Sequence, residues 1–397
     1  MSYIPDGYVM WPVPPDWADG VTETLGWLSD VITARTGAAQ KRELRINPRR
    51  EFTFDIIADD QARRVADMLL QDHGSKYWLL PIWHDVQWID PVPADTDIIP
   101  CSTEGFELVA DSLVVIWLSV REWQVAMIES LAADHIVLAG TTTRAWPAGT
   151  RLYPVRAAHL VEQPEEAAWT DTAGRRSVTM MLDEPSTWPA VLPEATYRGY
   201  PVLELRPETS DETNSTFARM VETLDEETGI VVMFDRPGRS FREVTINWVL
   251  QGRAEHAQMR SLLYALRGRM QNLWIPTWSH DLLLVAPVTA VATTLMIEWA
   301  GYTLFGRAQP NRRDIRIELL DGTVFYRRIT GSAEGIETEQ LLIDAALGQA
   351  INPADVLLIS FLVISEQAAD RVELQHSTDA DGITLVSTQF RGVRDDV

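Results

Sequence analysis

The chain has 397 residues, a formal net charge of −23, 46% hydrophobic residues and 23% charged residues. This is a globular composition, long enough for two domains that each bury a core, and it excludes a disordered chain. The acidic balance argues against a surface that grips nucleic-acid phosphates, though not against one that DNA slides past. The single cysteine, Cys101, excludes an intramolecular disulfide scaffold.

Taken in order, the N-terminus from Met1 to Gly7 has neither the basic nor the apolar stretch of a signal peptide, which fits folding in the cytoplasm. No apolar run approaches the roughly 20 residues of a membrane helix, so membrane insertion is not expected. Tyr8 then opens a Pro-rich stretch through Trp11 to Trp17, and Tyr200 opens another, 192 residues later. The same spacing holds for Pro15 and Pro207, Asp19 and Asp211, Thr36-Gly37 and Thr228-Gly229, and Arg50-Glu51 and Arg242-Glu243. Such self-similarity points to a chain written twice.

Next, Phe52-Thr-Phe54-Asp-Ile56 and Val244-Thr-Ile246-Asn-Trp248 alternate as strands with one buried face. A helix is expected after each. Val65, Met68 and Leu69 in the first, and Met259, Leu262 and Leu263 in the second, should form an apolar stripe against a sheet. Gly74 and Gly268 stand where a helix end favours positive φ. An aromatic-proline signature follows: Trp78 to Pro81, then Trp83-His84-Asp85, and again Trp274 to Pro276, then Trp278-Ser279-His280-Asp281. Proline lacks an N–H, so each signature reads as a strand that ends at a sheet edge. Trp83 and Trp278 are expected in equivalent places.

Leu113 to Leu118 reads as a buried strand. Ile315 to Leu319, with Asp321-Gly322 as a type I′ turn, reads as a hairpin into Val324-Phe-Tyr326. Trp146 to Pro154 matches Ile351 to Ile359, and Thr170-Asp171 matches Thr378-Asp379, with the spacing rising to 208 as loop insertions would require. The acidic run Glu222 to Glu227 reads as a solvated helix face. The stretch Asp183 to Pro193 is Pro-rich and poor in pattern. The resulting division is a first copy at 1–187, a linker at 188–199, and a second copy at 200–397. The fold class is α+β, mostly β, in two tandem homologous domains, each a sandwich- or barrel-like sheet with a flanking helix.

Chemistry-bearing motifs are scarce. There is no Walker loop, Gly-x-Gly-x-x-Gly turn, His-Glu-x-x-His, Cys-x-x-Cys pair or Gly-x-Ser-x-Gly elbow. The pairs His84-Asp85 and His280-Asp281 could supply a general base or a metal ligand, but neighbours on a strand point to opposite faces. His73, His135, His159, His256 and His376 form no ligand spacing. Asp379-Ala-Asp381-Gly382 begins like a calcium loop, yet the twelfth position is Phe390 rather than Glu. No catalytic, cofactor-binding or metal-ligating residue is assigned, and no enzyme is expected. The 15 tryptophans suit core and subunit interfaces, with a carbohydrate-binding adhesin as the alternative. A cell-wall hydrolase lacks a recognisable acid pair.

The order strand, helix, Trp274-Ile-Pro276-Thr-Trp278 strand, then the Trp146 to Pro154 element resembles the distal-tail or upper-baseplate ring proteins of long-tailed bacteriophages. The resemblance spans both copies. It implies a tail-tube-like fold and a structural role in the virion, in a ring at the tail tip that joins the tail tube to the baseplate hub and fibres. Its partners would be copies of itself, the tail tube protein, and hub and fibre proteins. Two copies per chain favour a trimer with pseudo-sixfold symmetry over a hexamer.

Overall fold

Period-two alternation, Gly and Pro at the breaks, and few long helix-forming runs produce a structure that is α+β and mostly β. The computed structural model describes residues 3–208, 212–378 and 382–394. Asp211, Asp379 and Asp381, and with them the calcium-loop resemblance, lie outside the described residues. In chain order, the first half contains β1 (Tyr8–Met10), β2 (Val21–Thr33), β3 (Ala39–Asp59), α1 (Asp60–His73), β4 (Tyr77–Pro81), β5 (Gln87–Ile89), β6 (Ile98–Pro100), β7 (Leu113–Ser119), β8 (Glu122–Leu131), β9 (His135–Leu138), β10 (Thr150–Leu160), β11 (Glu166–Ala168) and β12 (Ala173–Leu182). The second contains β13 (Thr196–Tyr197), β14 (Tyr200–Pro201), β15 (Ser215–Ala218), β16 (Val221–Leu224), β17 (Val232–Asp235), β18 (Phe241–Gln251), α2 (Gly252–Leu266), β19 (Leu273–Pro276), β20 (Thr294–Glu298), β21 (Asp314–Leu319), β22 (Val324–Glu334), β23 (Thr338–Ile343), β24 (Val356–Gln367), β25 (Arg371–His376) and β26 (Ile383–Gly392).

The pairing scheme of the first half recurs in the second. β12 pairs with β3 so that Met180 faces Phe52, and β26 pairs with β18 so that Phe390 faces Val244. β10 pairs with β4 with Val155 opposite Pro81, and β24 pairs with β19 with Leu362 opposite Pro276. Met10 lies parallel to Leu79, as Val202 does to Trp274. β7, β8 and β9 form an antiparallel meander, matched by β21, β22 and β23. β6 closes on β9 as β20 does on β23. Both signature prolines end their strands, which places the missing N–H where no ladder bond is lost.

Cores lie on both faces of the central strands. In β7, Val115 joins one core with Phe54, Trp78 and Tyr153, while Val114 and Ile116 join the other with Ile99, Trp146 and Leu152. The core under α2 has an additional contributor. Leu25 and Trp27, on β2 of the first half, pack into it beside Tyr264, Leu263 and Val386. β2 reaches there because its outer edge pairs antiparallel with β25 from Val21–His376 to Gly26–Arg371. One continuous ladder therefore crosses the chain midpoint.

Several expectations change. Met68 is exposed, and the inward stripe of α1 is Ala66, Leu69 and Leu70. Gly74 has φ −54, so its need for glycine is steric: a Cβ would lie 2.7 Å from the Leu70 carbonyl oxygen. α2 ends on Arg267, itself left-handed at φ 53, with Gly268 following at φ 64. The β21–β22 hairpin forms, but only Gly322 of its Asp-Gly pair has positive φ, so the turn is not type I′. Trp83 is buried edge-on to Tyr153 and Trp117, whereas Trp278 is half-buried, at φ 55, under the guanidiniums of Arg316 and Arg206. The acidic run belongs to the exposed hairpin of β16 and β17, not to a helix. The Pro-rich stretch is docked. Ser186 bonds to the Tyr264 hydroxyl and Trp188 Nε1 donates to Ser261 Oγ at 3.0 Å.

Candidate functional site

The contact between the halves gathers nine ionisable side chains, eight of them buried and Arg253 partly so. β2 and β3 carry Glu23 and Arg50, both buried. The segment after β4 supplies His84 and Asp85, and the loop between β6 and β7 supplies Glu107. α2 presents Arg253, His256 and Arg260, spaced three, four and seven residues apart and so on one helical face. The end of β25 supplies His376.

The bonding is dense. Arg50 donates Nε–H to Glu23 at 2.7 Å and forks onto both Glu107 oxygens at 2.7 and 2.6 Å. Arg260 bridges the same two carboxylates, reaching Glu107 at 2.7 Å and Glu23 through its other amino group. Arg253 donates to Asp85 at 2.7 Å and to the His84 carbonyl. The Glu107 N–H donates to Asp85 at 2.7 Å. His376 Nε2 stands 3.1 Å from Glu23 and its Nδ1 stands 3.0 Å from Thr384 Oγ1. The carboxylate can only accept, so the neutral ring carries its proton on Nε2 and accepts at Nδ1 from the Thr384 hydroxyl. Three carboxylates face three guanidiniums, and the junction closes its own charge.

Burial opposes ionisation of Glu23, but Arg260 and Arg50 overcome it and hold the carboxyl well below its usual range. Burial likewise opposes Glu107, which the same two arginines bring down to about 2. At Asp85 burial wins over Arg253, and the pKa rises to about 6. Burial pushes His84, His256 and His376 below the ordinary imidazole value.

Among the described residues, the histidine cluster is the one grouping with the donor types of a metal centre. Glu23, His84, His256 and His376 bring one ligand atom each within 4.8 Å of one another. Both nitrogens of His84, and Nε2 of His256, are buried with no bonding partner among the described residues. Three features oppose a cation there. The His84 and His376 rings stack in parallel at 3.7 Å, so their lone pairs run side by side rather than converge. Glu23 already answers to two guanidiniums and His376. A dication would also add two uncompensated charges to a balanced interior. The arrangement fits a hydrogen-bonded lock between halves better than a metal site.

No family model matches the chain, and no curated protein matches it.

The two His-Asp pairs part company. His84 and Asp85 both turn inward but toward different partners, the histidine to the ring cluster and the aspartate to Arg253. His280 is exposed, while Asp281 accepts from the Phe361 N–H at 2.9 Å and from the Thr277 hydroxyl. The sequence spacing gave no reason to group His84 with His256 and His376, which converge only because β2 and α2 pack across the halves. Beside the lock lies an open cleft of about 680 Å³ whose floor is Arg50 and Glu107 and whose rim carries Arg156 and Trp188. Its buried charges are mutually paired, and Ser186 is bonded to Tyr264 rather than to a base. Among the described residues no helix is long and apolar enough to cross a membrane.

Proposed function

We propose that this chain is a non-catalytic subunit of a bacteriophage tail tip. It is made in the bacterial cytoplasm and carried in the virion, in a ring that joins the tail tube to the baseplate hub and fibres around the DNA path. The supporting observation is the pairing scheme that occurs twice, over β1 to β12 and over β14 to β26, with the two occurrences clamped by a buried ionic junction. On this reading the chain is two tandem copies of one unit, held as a rigid pair.

A rigid pair offers a ring two similar surfaces per chain. Three chains then meet a sixfold tube with six similar units while keeping threefold symmetry for a hub. The net charge of −23 discourages retention of passing DNA. The cleft adds no competing chemistry, since its acids and bases are consumed by one another. Native mass spectrometry with negative-stain imaging of the purified chain tests the reading. The expected result is an annular particle of three chains. Six chains would replace the trimer arrangement, and a chain that never associates and is absent from purified tails would overturn the assignment.

A further inference from the structure

The junction inside the chain has a vacant counterpart at each end. Registers relate the two. Glu23 faces Phe52 as Ser215 faces Val244, so β15 stands where Glu23–Gly26 of β2 stands. Leu374 faces Val386 on β26, and Glu166 faces Arg176 on β12, so β11 stands where Leu374–His376 of β25 stands. Within the chain these places are occupied, because β2 pairs with β25. Among the described strands β15 pairs only with β18, and β11 only with β12. Two ladder edges are thus left open, one on each half, and they are the two that would complete each other.

Burial follows the same division. Leu25 of β2 is 0% exposed, whereas its counterpart Phe217 on β15 is 55% exposed. α2 buries seven side chains, because the first half covers the face its own sheet does not, while α1 buries Ala66 alone. A cavity of about 410 Å³ opens beside Phe217, lined also by Tyr302, Phe305 and Arg312, in the β20–β21 connection that corresponds to the loop receiving α2. Arg242 stands in for Arg50. It is buried, and among the described residues the carbonyls of Pro276 and Thr277 receive its protons, at 3.4 Å, while burial pushes its pKa down to about 10.

We infer that the β15 edge and the neighbouring cavity receive the β11 edge and helix α1 of a second copy of this chain, repeating between chains the contact that β2 and β25 make within one. The contact is head-to-tail, so each chain keeps one open edge of each kind until a ring closes. It deepens the ring reading and rests on it. The seam between chains also differs from the junction inside one. Glu23, His84 and His376 have Ser215, Ser279 and Ala168 as counterparts, so that carboxylate and the stacked imidazoles are absent from it, while the buried cation is kept at Arg242. Assembly across it is a matter of ladder bonds and of apolar cover over Phe217.

Cysteine pairing tests the register. Thr22 faces Gln375 across the internal ladder, which maps to Asn214 facing Ala167 of the next chain. In a Cys101→Ser background, Asn214→Cys with Ala167→Cys should give disulfide-linked multimers on mild oxidation, and each single variant should give none beyond background. Phe217→Asp should leave the circular dichroism unchanged and convert the oligomer to monomer. Ala168→Lys, on the opposite edge, should do the same, so a folding failure of one variant leaves the other decisive. An oligomer that forms without cross-linking, and survives both edge substitutions, overturns this seam while leaving the ring reading intact. A wild-type chain that stays monomeric at every concentration overturns the seam, and one that is also absent from purified tails overturns the ring reading with it.

Discussion

Arg260 enters the junction from α2 and meets Glu23 and Glu107 together, so removing it strips a cation from two buried carboxylates. Arg260→Met is expected to cost about 3–5 kcal/mol in denaturant-unfolding experiments, the range for breaking one side of a buried ion pair. The histidines set a pH dependence with a definite sign. Each has a folded pKa below its unfolded value of about 6.5, so as pH falls the unfolded state binds protons that the folded state refuses. Stability is therefore full above about pH 6.5 and falls below it, by up to about 1.4 kcal/mol per pH unit for each histidine. Asp85, raised to about 6, opposes this between about pH 6 and 4, because there the folded state binds its proton first. Glu107, held at about 2, adds a further loss below about pH 4.5. The net expectation is a melting temperature that declines from pH 7 to 5, and that declines less in His84→Phe; a flat profile would contradict it. Chelation speaks to the same side chains. The purified chain should hold no stoichiometric zinc and keep its melting temperature in EDTA, while a melting temperature that drops on chelation would make the cluster a metal centre.

The two helices have similar lengths and follow equivalent strands, yet they carry different fates. α2 is covered by β2 and the loop holding Glu107, and α1 has no such cover within the chain. Amide hydrogen exchange on a monomeric edge variant should show strong protection in α2 and β25, and rapid exchange at α1, β11 and β15. In the assembled wild type the last three should slow selectively. The exposed two-stranded arm of β16 and β17 carries Ile230, Met233 and Phe234 in solvent, and an isolated ribbon of that kind is marginal in water. Its counterpart, the far part of the β2–β3 hairpin, is held by Lys41 to Glu366 and by Ser29 to Asp370 at 2.7 Å.

At the scale of the whole molecule, one ladder and one ionic lock join two halves that share a pairing scheme. A ring built on it would have two kinds of seam, one closed by a balanced ionic lock within a chain and one carried by ladder bonds and apolar cover between chains. Raising the salt concentration should therefore leave the oligomer largely intact, since ladder bonds and apolar cover are not screened by ions. Light scattering across a salt series would read this, and dissociation at high salt would place ion pairs in the seam.

Alternation at Phe52–Ile56 and Val244–Trp248, the signature prolines and the rising spacing between matched residues were legible in the sequence, because strand period and proline chemistry are local. They determined a mostly β chain and the recurrence of its order. The burial of Met68's neighbours in place of Met68, and the different packing of Trp83 and Trp278, were not legible, because the same local signal meets different surroundings in each half. The convergence of His84, His256 and His376 was decided by tertiary structure alone. They lie on three separate elements, and only the pairing of β2 with β25, which swings one half's strand onto the other's core, brings those elements to one point.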